Sequence, residues 1–89
     1  MGKEEFLEVL EKCKGKDITI KVEGDISQQI TMQKYFCELK EDRLYIRNSI
    51  NLDFMIINLN TIRNIEKEVN SIILYIDNKN DSKVTISVI

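Results

Sequence analysis

The hydrophobic period of this chain changes at Gly15, and no other feature limits its possible folds as much. Before that point Phe6, Val9, Leu10 and Cys13 recur at helical spacing, Leu7 widens the stripe, and Glu4, Glu5, Glu8, Glu11 and Lys12 lie outside it. Glu4 and Glu5 suit the positive start of a helix dipole and Lys12 and Lys14 its negative end. Gly15 can take the left-handed conformation that closes a helix, so the pattern predicts a helix over residues 3 to 14. After Gly15, Ile18, Ile20 and Val22 alternate with Thr19, Lys21 and Glu23, the mark of a half-buried strand, and Gly24-Asp25 signals a turn.

The remaining chain keeps this strand-like character. Residues 26 to 39 contain two alternations of opposite parity, Ile26, Ile30 and Met32, then Tyr35, Cys37 and Leu39. A bend or bulge between about 32 and 35 reconciles them. Lys40-Glu41-Asp42-Arg43 reads as a tight polar turn before a strand at Leu44-Tyr45-Ile46-Arg47, and a second turn fits Asn48 to Asn51. In Leu52 to Leu59, the apolar run Phe54-Met55-Ile56-Ile57 implies burial on both faces and places the helix above this strand. Leu59, Ile62 and Ile65 fall every third position, which suits a single 3₁₀ turn at a corner or equally a frayed helical turn. Ile72 to Ile76 and Lys83 to Ile89 read as strands around a polar hairpin loop, Asp77 to Asp81. The fold class expected is α+β: one domain over residues 1–89, with a helix at 3–14 and a β-rich part at 16–89. Its N-terminal helix is followed by six or seven antiparallel strands that form a bent meander or small barrel.

Composition supports sheet and argues against catalysis. With 89 residues the chain is too short to split into two cores, and its apolar residues are dominated by Ile, whose branched side chain fits a pleated surface. It has no His, which removes the commonest general base and the Ser-His and Cys-His pairs. Gly2, Gly15 and Gly24 are isolated, so no phosphate-cradling loop can form. Cys13 and Cys37 are 24 positions apart, unlike the closely spaced ligands of a zinc site or a disulfide framework, and are expected to be reduced core thiols. Asp77 to Asp81 has a lysine where a calcium loop needs an oxygen ligand. No enzyme activity, cofactor or metal is therefore expected. The acidic start Met1-Gly2-Lys3-Glu4-Glu5 is unlike a secretory leader, and no apolar run approaches the roughly 20 residues of a spanning helix. The expectation is a cytoplasmic protein without membrane contact.

A binding role is what remains. Lys34-Tyr35-Phe36 and Arg43-Leu44-Tyr45-Ile46-Arg47 interleave aromatic and basic residues on adjacent strands, as in sheets that stack bases. The net charge of −2 and the nearby Glu38, Glu41 and Asp42 argue against nucleic acid, and favour Tyr35 and Tyr45 as a cross-strand pair. The last strand, with Val84, Ile86 and Val88 alternating, is expected to be an edge open to pairing. The interaction surface so expected comprises Tyr35, Tyr45, Arg43, Arg47, Val84, Ile86 and Val88.

The helix, the bent strands and the Ile-Asn-Leu-Asn-x-Ile-x-x-Ile corner at Ile57 to Ile65 resemble the Sm and Hfq small-barrel family over about residues 4 to 67. That resemblance implies a helix capping a five-stranded barrel and an RNA partner. The family's glycine and polar signature in its second and third strands is not found here, nor has the hairpin at 71 to 89 a counterpart, so no RNA-binding residue is carried over. The Ile, Lys and Asn bias also looks similar to uncharacterised short proteins of low-GC Gram-positive bacteria and their phages. Three functions are compatible with these readings. The first is a non-enzymatic protein-interaction module that self-associates through a sheet edge as a homo-oligomer. A phage or mobile-element inhibitor that occludes a host complex, and an Sm-like RNA-binding protein dependent on Arg43, Arg47 and Lys34, are the alternatives.

Overall fold

A computed structural model describes residues 2–24, 27–48, 54–77 and 82–89. Among the described residues one helix, α1 (Lys3–Lys12), precedes eight strands: β1 (Ile18–Glu23), β2 (Gln28–Met32), β3 (Tyr35–Lys40), β4 (Arg43–Asn48), β5 (Phe54–Asn58), β6 (Ile62–Lys67), β7 (Ser71–Ile76) and β8 (Lys83–Val88). All pairings are antiparallel, in a five-stranded sheet of order β2-β1-β8-β7-β6 and a three-stranded sheet of order β3-β4-β5. The chain is thus α+β with a bent meander, as its periodicity predicts, and the two sheets are open and do not close into a barrel.

Alternation determines which side of each sheet is buried. On the large sheet the rows Met32–Ile18–Val88, Ile30–Ile20–Ile86–Ile72 and Val22–Val84–Leu74–Ile65 face inward. Tyr35, Leu44, Ile46 and Ile57 of the small sheet join them, with Phe6 and Leu10 of α1, in one hydrophobic core. The strand signal at the bend is also met: β2 ends at Met32, β3 starts at Tyr35 in the other sheet, and Lys34 between them has φ 49°. At Lys40–Arg43 the predicted turn is present, with Glu41 at φ 55°. The expected turn at Asn48 to Asn51 falls mostly outside the described residues, as do Ile26 and most of the 77–81 loop.

Several expectations are corrected. The helix stops at Lys12, two residues early, because Cys13 caps it and the chain turns through Gly15 at φ +86°. It packs chiefly against β3 rather than β5. Lying at a sheet edge, β5 leaves Phe54 60% and Ile56 46% exposed, so its apolar run is not buried on both faces. The C-terminal strand is no edge: β8 pairs with β1 on one side and β7 on the other, which places it at the centre of the large sheet.

The three-residue spacing of Ile62 and Ile65 has a simple cause. Leu59–Thr61 does form the predicted 3₁₀ turn, but residues 62–67 form a strand that the sequence reading does not anticipate. Ile62 pairs with Ile76 and Asn64 with Tyr75, so Arg63 is an extra residue bulged out of the ladder. The bulge restores both isoleucines to the inner face despite their odd separation, and both are buried. Deleting Arg63 should remove the bulge and leave Ile62 and Ile65 two residues apart on the same inner face of a regular ladder, so stability should change by about 1 kcal/mol or less, read as a urea midpoint close to wild type. A loss of several kcal/mol would show that Arg63 is a paired member of the ladder and that the bulge does not set this register.

Candidate interaction face

Where the predicted contact residues lie follows from the β3–β4 register. The tight turn pairs Lys40 with Arg43, so Tyr35 stands opposite Asn48, and Tyr45 opposite Glu38. The two tyrosines consequently point to opposite faces, and the cross-strand pair expected of them does not form. Tyr35 is fully buried, and its hydroxyl donates to the Leu10 carbonyl at 2.6 Å. That carbonyl belongs to the last turn of α1, where carbonyls run out of helical partners. Val84 and Ile86 are each 4% exposed and face the core from the central strand, and Val88 packs against the same core. Tyr35, Val84 and Ile86 cannot meet a partner without unfolding, whereas Val88 is half-buried.

Tyr45, Arg43 and Arg47 do come together, on the solvent side of the small sheet. Reading across β3, β4 and β5, the outer rows are Phe36–Arg47–Phe54, Glu38–Tyr45–Ile56 and Lys40–Arg43–Asn58. Phe36 and Tyr45 are half-buried there, while Phe54 and Ile56 stand further out. The Lys40 ammonium lies 5.8 Å from the Tyr45 ring centre and 3.7 Å from a Glu38 carboxylate oxygen. Arg43 and Arg47 make no salt bridge among the described residues. Three cations thus share this face with one acid, on a chain whose overall charge is −2.

The outer face of the large sheet is chemically different. Its rows run Thr31–Thr19–Ser87–Ser71, Gln29–Lys21–Thr85–Ile73–Glu66 and Glu23–Lys83–Tyr75–Asn64. Hydroxyls and alternating charges dominate it, the composition of a solvated surface. The sequence reading misses Phe36, Phe54 and Ile56 as surface residues because parity alone cannot say which side of a strand faces water. A second strand of known orientation is needed.

Other features carry less chemistry. A cleft of about 260 Å³ opens between α1 and the β6–β7 turn, walled by Val9, Cys13, Ile72 and Val88, with Lys16 and Lys67 also in its lining. Cys13 and Cys37 are free thiols, both half-buried. Burial pushes the Cys37 thiol above its usual range, against an opposing pull from Lys14, so the thiolate is disfavoured. Among the described residues no group of three or more His, Cys, Asp or Glu could hold a metal, and no helix is long and apolar enough to cross a membrane. No known protein family, curated protein or solved structure matches the chain.

Burial also raises the Tyr35 phenol well above its ordinary value of 10.0, with smaller contributions from Cys13, Cys37 and Glu11. The unfolded chain releases this proton first, so the stability it represents is complete below pH 10 and declines as pH rises beyond it. Tyr35→Phe should cost about 1 kcal/mol near neutrality through the lost hydrogen bond. The gap between variant and wild type should narrow as pH rises from about 10 to about 12 in denaturation series, because phenylalanine has no proton to lose. A gap independent of pH would place the phenol in water.

Proposed function

We propose that this chain is a non-enzymatic protein-interaction module and that its contact surface is the solvent side of the β3–β4–β5 sheet. One observation carries the reading: aromatic, aliphatic and cationic side chains converge on that face, whereas the other sheet turns hydroxyls and paired charges to water. Aromatics and arginine are the residues that dominate interface energetics when a partner excludes water from them. The surplus of cations favours a partner that presents carboxylates around an apolar centre. A rigid sheet supplies the surface without an ordering cost on binding.

Tyr45→Ala combined with Arg47→Glu removes the centre of the face from β4 and leaves the core residues untouched. Wild type and variant, immobilised and exposed to extract of the native host, are compared by quantitative mass spectrometry. Partners held by the wild type should fall at least tenfold on the variant, with thermal midpoints of the two proteins within a few degrees. Equal capture by both proteins would remove this face from the interaction.

Single-stranded nucleic acid is a second reading, favoured by the row in which Arg47 separates Phe36 from Phe54. Bases stack on such rings while phosphates meet the cations. A gel shift at low salt that weakens when Arg43 and Arg47 are neutralised would support it, and no shift at any salt would end it.

A further inference from the structure

We propose that β5 is a pairing edge for a second copy of this chain, joining two small sheets into one six-stranded sheet about a two-fold axis. Four strands lie at sheet edges: β2, β6, β3 and β5. Natural edges are blunted by charge, proline, bulges or cover. In β6 there are the Arg63 bulge and the charges of Glu66 and Lys67. Glu38 and Lys40 lie along β3, and its first residue is sealed where Gly15 N–H donates to the Tyr35 carbonyl and Tyr35 N–H to the Lys16 carbonyl. Gln28 to Met32 of β2 are half polar. β2 also lacks charge and bulge, so it is the uninterrupted apolar run Phe54-Met55-Ile56-Ile57 that sets β5 apart among the described edges.

Its backbone is oriented for addition. Leu59 N–H donates to the Asp42 carbonyl, and hydrogen-bonded pairs alternate along an antiparallel ladder. By that alternation Leu44–Ile57 and Ile46–Met55 bond across β4 and β5, and the N–H and C=O groups of Phe54, Ile56 and Asn58 point away from β4. The same three residues hold the outward side chains, two of them large and apolar. A groove of about 200 Å³ runs beside the strand between the sheets, lined by Met55, Ile57, Val22, Ile76 and Val84 with no charged residue.

The occupant that matches an uncharged apolar edge is another uncharged apolar strand, and β5 is its own complement. Antiparallel pairing centred on Ile56 sets Ile56 against its copy and Phe54 against Asn58 of that copy, so each exposed ring covers the opposite isoleucine. No charge on either strand opposes the approach. Five residues extend only about 17 Å, a contact at the small end of specific interfaces, so the dimer should form at micromolar rather than nanomolar concentration. The pairing would also place two aromatic–basic faces side by side in one sheet. It shares Phe54 and Ile56 with the docking face, but its hydrogen bonds come from the β5 backbone, whereas Tyr45 and Arg47 of the docking face lie on β4.

Sedimentation velocity over about 5 to 500 μM tests it. Wild type should pass from monomer to dimer across that range. Ile56→Lys, a charge at an exposed edge position, should remain monomeric with an unchanged thermal midpoint. Ile56→Pro should do the same, since the lost N–H points away from β4 and the β4–β5 ladder keeps its bonds. A wild type that is monomeric throughout, or a dimer that both substitutions leave intact, would overturn the assignment. Tyr45→Ala with Arg47→Glu, which alters the docking face and leaves β5 untouched, should keep the dimer, and loss of the dimer in that variant would overturn the edge assignment.

Discussion

Tyr35 joins three parts of the chain at one buried point. Its hydroxyl holds the last turn of α1 through the Leu10 carbonyl, while its N–H and C=O exchange hydrogen bonds with Lys16 and Gly15 on the approach to β1. Beside it, Lys34 N–H donates to an Asp17 carboxylate oxygen. These contacts close the corner where the chain passes from the large sheet to the small one. The corner also needs Gly15, because at φ +86° a side chain would strain the turn that presents the glycine N–H to Tyr35. At the opposite corner the 3₁₀ turn has a comparable role: Leu59 N–H binds the Asp42 carbonyl in the small sheet, and Asp77 N–H binds the Thr61 carbonyl from the end of β7. Two open sheets are therefore held at a fixed separation by backbone bonds at two seams, and the core fills the space between.

This arrangement determines which surfaces are offered to partners. Because β8 inserts between β1 and β7, Val84 and Ile86 are committed to the middle of the large sheet. The small sheet, only three strands wide, keeps its outer face and its β5 edge in solvent. Phe54 and Ile56 are therefore exposed together on this side, and the proposed docking reading rests on that exposure. The face and the edge share Phe54 and Ile56, so the two contacts are geometrically linked.

Much of the fold is legible in the sequence because period and parity are local properties. The stripe from Phe6 to Cys13, the alternation from Ile18 to Val22, the parity change between Met32 and Tyr35, and the turn at Glu41 can each be read from a few neighbouring residues. What is not legible is non-local. Nothing in Val84, Ile86 and Val88 reveals that two strands flank them, since edge and centre strands alternate alike. The bulge at Arg63 makes a strand imitate a helical turn. The candidate face was half legible: Arg43, Tyr45 and Arg47 share one parity on one strand, but Phe36, Phe54 and Ile56 join them only once the register is known.

The central claim is that the Tyr35 corner is as stable as the core it closes. Amide hydrogen exchange resolved by residue tests it directly. The Gly15 and Tyr35 amides should exchange only with global unfolding, at the same free energy as amides in the middle of β1 and β8. Exchange of those two amides several kcal/mol below the β8 level would show a corner that opens by itself, and would contradict the account.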